Sequence, residues 1–336
     1  MAARHTLCNV FSAFIDNLRL VERQLLDGDT SRGDSADFDR QAFWDRLGTS
    51  VQAVSAEVTK LSMVFSKPPV PPVEHCEQII GRVEKATLMM VSAFYSLPKS
   101  QGLRLRRSIR NAVIEVVQSV IGLGQVLNTQ SLGSPDQLKS TACVWQCTDS
   151  FSSLPKDNRE LVLTLLGDTA SLVKDAADEL QEAVDSGLED DFGDSSNEQI
   201  LAEDNSNKWS DHDKALVKAC LGLTKVCQSV LKKSSEAVRR NGHCDSDANI
   251  AQFDDLADQV ERLSPQVDEL ASNLYPPIND RVAEENSQKL AENLKSCLLF
   301  LRKSHVTTED DAQWVDFLLT AGQHNLDKIF AATKDG

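Results

Sequence analysis

Along most of this chain, apolar residues return every three or four positions, the period of one face of an α-helix. Trp44, Leu47, Val51, Val54, Val58, Leu61 and Phe65 form the clearest stripe, with Asp37 or Asp39 placed to cap its start. Cys76, Ile80, Val83, Thr87, Met90 and Phe94 repeat the spacing. So do Leu105, Ile109, Val113, Val116, Val120, Leu123 and Leu127. Ser134-Pro135 reads as a cap followed by proline at the first helical position, opening a shorter helix through Phe151. Val162, Leu166, Val173, Ala176 and Leu180 mark a helix from about Asp157 to Val184. Further stripes follow: Leu216, Cys220, Leu223, Cys227 and Val230, then Ile250, Phe253, Leu256, Val260 and Leu263. Val267, Leu270 and Leu274 continue that stripe past Pro265, so the helix kinks or restarts with Ser264 as its cap. Ala283, Leu290, Leu294, Cys297 and Leu301, then Trp314, Leu318, Ala321 and Ile329, complete the pattern. With a first helix from roughly Thr6 to Leu26, the pattern predicts about ten long helices and no strand.

Nine of the ten prolines fall between these stripes, where a helix can stop without losing an internal hydrogen bond. Helices with one apolar face bury it best in antiparallel bundles. The expected fold is all-α, with two bundles of about five helices each. The division is placed near Leu154-Pro155, so that residues 1–154 form the first bundle and 155–336 the second; a division in the acidic stretch is the competing reading. The second carries an acidic disordered insert over 186–207 that joins the bundles or lies beside their junction.

Composition sharpens this picture. Only 5% of the 336 residues are aromatic, against a β-sandwich or barrel. The longest nearly uninterrupted apolar run, Ala86 to Tyr95, is about half of a bilayer span of ~20 residues, so no segment is expected to cross a membrane. Nor does the N-terminal stretch read as a secretory signal. The net charge of −16 argues against nucleic acid and anionic membrane surfaces. Most of it lies in one interval: between Lys174 and Lys208 there are twelve Asp and Glu and no Lys or Arg, leaving −4 for the rest. Ser195 and Ser196 sit there in the context an acidophilic kinase favours.

Candidate chemistry is sparse. No phosphate-binding glycine loop, paired Cys-x-x-Cys, zinc-binding His-Glu-x-x-His or nucleophile elbow occurs. Neither a catalytic set, a cofactor nor a metal site is expected. Cys143 and Cys147 share a helix face but are expected to be buried core thiols. Asp211, His212 and Asp213 point in different directions on a helix, which argues against a shared site. Gly122 and Gly124 suggest close helix contact. One positive feature stands out: Lys99, Arg104, Arg106, Arg107 and Arg110 fall within twelve residues. A solvated face explains them; so would a docking site for an acidic partner, or for the acidic interval of this chain. On the docking reading, reversing Arg106, Arg107 and Arg110 together should leave thermal stability intact.

Five segments carry a family resemblance: Phe43-Trp44-Asp45-Arg46-Leu47, Val64-Phe65-Ser66, Leu97-Pro98-Lys99-Ser100-Gln101-Gly102, Leu270 through Tyr275-Pro276-Pro277, and Ser304-His305-Val306-Thr307 with Trp314. In this order, over roughly residues 40 to 330, they resemble the cyclin-D-binding protein family, also called GCIP, Maid or HHM. The resemblance implies a non-enzymatic protein that binds D-type cyclins and an adaptor of the Grb2 class. It implies lowered phosphorylation of the retinoblastoma protein, restrained transcription, and action as a helix-loop-helix-type partner without a basic region. It further implies residence in cytoplasm and nucleus and bundles like those of talin and vinculin. The talin likeness also admits a cytoskeletal or adhesion adaptor.

Overall fold

The computed structural model describes residues 2–27, 38–69, 71–189 and 209–334. Among them are eleven α-helices and no strand. They are α1 (Ala2–Asp27), α2 (Arg40–Val64), α3 (Val73–Tyr95), α4 (Leu103–Thr129), α5 (Pro135–Ser150), α6 (Asn158–Glu189), α7 (Asp211–Asn241), α8 (Asp247–Val260), α9 (Leu263–Ser272), α10 (Asp280–Leu301) and α11 (Ala312–Lys334). The chain divides into two compact units, residues 1–156 and 157–336.

In the first unit the helices pack in a ring ordered α1, α3, α2, α5, α4 and back to α1. Its core is rich in phenylalanine: Phe11, Phe14, Phe43, Phe65, Phe94 and Phe151 are buried. Phe11 meets Phe65 edge to face at 5.4 Å between ring centres. The expected stripes of α2, α3 and α4 are buried except at their edges, where Trp44 and Leu127 are half-exposed and Phe43 takes the inward position beside Trp44. Asp39 caps α2 by accepting from the Ala42 amide, and Ser134 caps α5 by accepting from the Gln137 amide. At Gly124 an added Cβ would lie 3.0 Å from the Phe14 ring, so α1 crosses α4 closely there; at Gly122 it would meet open space.

The second unit closes a ring ordered α6, α7, α11, α10, α9 with α8, and back to α6. Its core is aliphatic, with Phe253 as the buried aromatic and Cys220, Cys227 and Cys297 as buried thiols. Helices α8 and α9 form one bent element. The restart falls at Leu263 with no side-chain cap, and Ser264 lies inside the new helix, buried. Helix α6 extends through Glu189, so residues 186–189 of the expected disordered insert are helical. In α6 the inward position is Ala177, one residue beyond the expected Ala176. The remainder of the insert, with Ser195 and Ser196, lies outside the described residues.

One expectation about membranes is revised. Helix α4 has the length and mean hydropathy of a bilayer span, 1.3 over its most apolar window. Glu115 is the one charged residue in that window and does not lower the average enough. Its apolar side chains serve the core of the first unit: Ile109, Val113, Val116, Val117 and Leu123 are fully buried.

Candidate interaction site

The basic cluster owes its geometry to the connection between α3 and α4. Leu97, buried, anchors the chain after α3. Lys99–Gln101 then form a single 3-10 turn, closed by the Gly102 amide donating to the Lys99 carbonyl at 3.0 Å. Gly102 adopts a φ of 104°, a conformation an L side chain resists, and α4 starts in the next residue. Four arginines follow in the first turns of α4, and no acidic residue balances them in its first turn. The amino end of a helix is already electropositive, so these charges reinforce one another.

The five predicted residues do not act as one face. Arg106 is only 3% exposed, and its guanidinium lies 4.9 Å from the centre of the Phe94 ring. Arg107 is exposed and Arg110 half-exposed. These three arginines, with Phe94 and Leu103, line a pocket of about 170 Å3. Nε of Arg110 is shielded from solvent and has no hydrogen-bond partner. Lys99 and Arg104 lie outside the pocket lining. The expectation of a stability-neutral triple reversal therefore fails at Arg106, where a carboxylate would be buried against an aromatic ring. Phe94 and Leu103 complete the site without having been legible in sequence. Phe94 reads as an ordinary core position, and only the tight turn carries it beside α4.

Other candidates resolve into structural roles. Cys143 is exposed and Cys147 half-buried, with its thiol against Ser119 of α4, so neither is a core thiol. No group of three metal-ligating side chains occurs among the described residues. Asp213 joins Ser210 in a capping box, His212 reaches Asp280 with Nε2 at 3.0 Å, and Asp211 is exposed, so the triplet makes no shared site. A groove of about 710 Å3 runs between α10 and α11 and is lined by Leu298, Leu319, Phe330 and polar neighbours.

Segments that carry the resemblance also make polar ties inside each unit. The Trp44 indole donates to the Lys156 carbonyl at 3.0 Å while the Lys156 ammonium sits 4.1 Å from its ring centre. Trp314 donates to Asp311 at 2.7 Å, and Arg240 donates to the same oxygen at 2.6 Å. Burial alone would raise the pKa of Asp311, but the Thr308 amide, Trp314 and Arg240 outweigh it and hold the carboxyl below its ordinary value. His305 places Nδ1 2.7 Å from Gln252 Oε1, which also accepts the His305 amide at 2.8 Å, so Nδ1 carries the proton. Burial, then the neighbouring His243, lowers its pKa and favours the neutral ring. His305 showed in the sequence only as part of a segment carrying the resemblance, and Asp311 only as a polar position near a helix end.

Comparison with known proteins covers nearly the whole chain. Residues 46–186 match the family described as Grap2 and cyclin-D-interacting, N-terminal, and residues 188–299 match its C-terminal counterpart. The junction between the two matches falls near the end of α6 and not between the compact units. A relative in Danio rerio, named cyclin-D1-binding protein 1 homolog, is 42% identical over 321 residues, covering 94% of this chain and 92% of its own length. A Xenopus laevis homolog of the same name is 40% identical over 318 residues, covering 93% and 95%. The Homo sapiens cyclin-D1-binding protein 1 is 32% identical over 334 residues, covering 95% and 92%. With matches of this length in both halves, the chain belongs to the Grap2 and cyclin-D-interacting family.

Proposed function

We propose that this chain is a non-enzymatic interaction module that binds a D-type cyclin. The observation that supports the reading most directly is the alignment, over more than nine-tenths of both chains, with relatives named for binding cyclin D1. On this reading the exposed Lys99 and Arg107 and the half-exposed Arg104 and Arg110 meet an acidic partner surface. Binding would lower cyclin-dependent phosphorylation of the retinoblastoma protein and restrain the transcription that follows, in both cytoplasm and nucleus. A Grb2-class adaptor and helix-loop-helix-type regulators are further partners in the proposal. The last would require a helix to leave its bundle, since the long apolar stripes already pack inside their own units.

Titration of recombinant cyclin D1 into the full chain by calorimetry tests the central point. Saturable binding is expected, with crosslinks from the partner to Lys99 and its neighbours. Absence of saturable binding overturns the reading. Crosslinks confined to the second unit would retain the cyclin but remove the cluster as its dock.

A further inference from the structure

We propose that the pocket between Phe94 and the first turns of α4 receives a phosphorylated side chain, phosphoserine or phosphothreonine, from a partner polypeptide. The proposal deepens the docking role given to the basic cluster and rests on that reading for the kind of partner.

Size is the first argument. The pocket holds about 170 Å3. A liquid water occupies about 30 Å3, so there is room for roughly five or six waters. That suits a phosphoryl group with its linking carbons. Nucleotides and most cofactors need the larger cavities of about 300 Å3 and above.

Charge is the second. Three arginines line the space, and among the described residues no acidic residue does. Among the described residues neither Arg107 nor Arg110 takes part in an ion pair. The like charges of Arg107 and Arg110 repel, and an anion between them removes that repulsion. A carboxylate brings one negative charge, whereas a phosphate monoester brings about 1.5 to 2 and three strong acceptor oxygens. Arginine forks match those oxygens two at a time. The buried Nε of Arg110 is a donor already turned away from water.

Preorganisation is the third. Arg106 cannot swing into solvent, because it is buried and stacked on Phe94. A fixed guanidinium loses little side-chain freedom when it binds. The wall is not wholly polar either. Leu103, 60% exposed at the rim, offers an apolar contact to the residue next to the phosphate. This favours a peptide over a lipid headgroup, as does the net charge of −16, which opposes approach to an anionic membrane.

Fluorescence anisotropy with the full chain tests the proposal. The probes are a short labelled peptide with one phosphothreonine between leucines, its threonine and glutamate forms, and phosphatidylcholine vesicles containing a phosphoinositide. The phosphothreonine peptide should bind at least about tenfold more tightly than either other form, a difference of about 1.4 kcal/mol. Inorganic phosphate should displace it. Arg110→Gln and Arg107→Gln should each weaken it by about tenfold, Arg110→Lys by less, and Lys99→Gln, outside the pocket, hardly at all. Equal affinity for the glutamate peptide, phosphopeptide binding untouched by Arg110→Gln, no phosphopeptide binding, or vesicle binding in its place would each overturn the proposal. Cyclin D1 affinity of Arg110→Gln is measured alongside. If it is unchanged while phosphopeptide binding is lost, the phosphate pocket stands and the cyclin dock at this cluster falls. If cyclin affinity drops while the wild-type chain ignores the phosphopeptide, the reverse holds.

Discussion

The two units solve the same packing problem with different materials. Each closes five helical rods into a ring, if the bent α8–α9 is taken as one. In the first unit the chain's third rod sits between its first and second. In the second unit the first two rods, α6 and α7, are neighbours. The first core is built around phenylalanines. The second is filled by leucine, valine and three buried thiols, and it ties its ends with buried polar groups such as Asp311 and Asn286. Large flat rings fill space with few side chains and lose much when one is removed. Small aliphatic residues distribute the same burial over many positions, so polar ties at the helix ends carry more of the specificity.

That contrast can be broken by mutation and by pH. The largest effect should come from the first unit. Phe65→Ala removes a fully buried ring that meets Phe11, and it should destabilise the chain by about 3–5 kcal/mol in denaturant unfolding. A loss under about 1 kcal/mol would show that the aromatic core can collapse around the gap.

Next comes the polar tie of the second unit. Asp311→Ala should cost about 3 kcal/mol, because Trp314 and the Thr308 amide lose a charged acceptor away from water. Arg240 on the same carboxylate is largely exposed and can turn to solvent, so it adds little to that loss.

The pH response should also distinguish the units. In the second, burial pushes Cys220 and Cys297 up to about 12, and burial with the nearby Cys297 pushes Cys227 upward as well. These thiols stay protonated in the folded chain while the unfolded chain releases protons above an ordinary value of 9.0. Stability is therefore lost as pH rises past that value, by about 1.4 kcal/mol per thiol per pH unit. Raised thiols in the first unit are Cys76, which is buried, and Cys147, which is only half-buried, against three buried thiols in the second, so the alkaline loss of the first should be smaller. On the acid side the second unit should soften as well. His305, with its lowered pKa, contributes fully above about 6.5 and loses that contribution as the unfolded chain protonates below it. Asp311 contributes fully above about 3.8 and loses its share as pH falls further, through its lower folded value. Thermal melts followed by the fluorescence of Trp209 and Trp314, against Trp44 and Trp145, would report the two units across this range. A steeper alkaline decline in the signals of the first unit would contradict the assignment.

The smallest effect tests one helix against itself. Gly122→Ala should stabilise by up to about 1 kcal/mol, since the added methyl meets open space and helices favour alanine. Gly124→Ala, two residues on, should destabilise by about 1 kcal/mol or more, because the methyl presses on Phe14 and Ile15. Melting temperatures moving in the same direction for both would remove the close crossing of α1 and α4 from the account.

Most of the fold was legible because helical period and proline spacing are local signals. The stripes of α2, α3, α7 and α10 are buried almost position for position, and the caps at Asp39 and Ser134 form as their residue types dictate. The candidate site was legible only as a run of charge. A period names the middle of a buried face, but the flanks depend on which neighbour stands there. Arg106 shares a helix face with Arg110 in sequence, yet it is buried because α3 ends beside it and presents Phe94. Cys143 has the composition of a core position, yet it is exposed because no helix covers that side of α5.

By itself, then, the sequence determined that the chain is helical, roughly where each helix runs, and where its charges concentrate, since backbone hydrogen bonding and apolar period act within a few residues. Tertiary structure decided the order in which each ring closes, which arginines turn inward, and that three of them share a pocket. Those outcomes depend on side chains far apart in the chain competing for the same space, and no local pattern records which of them wins.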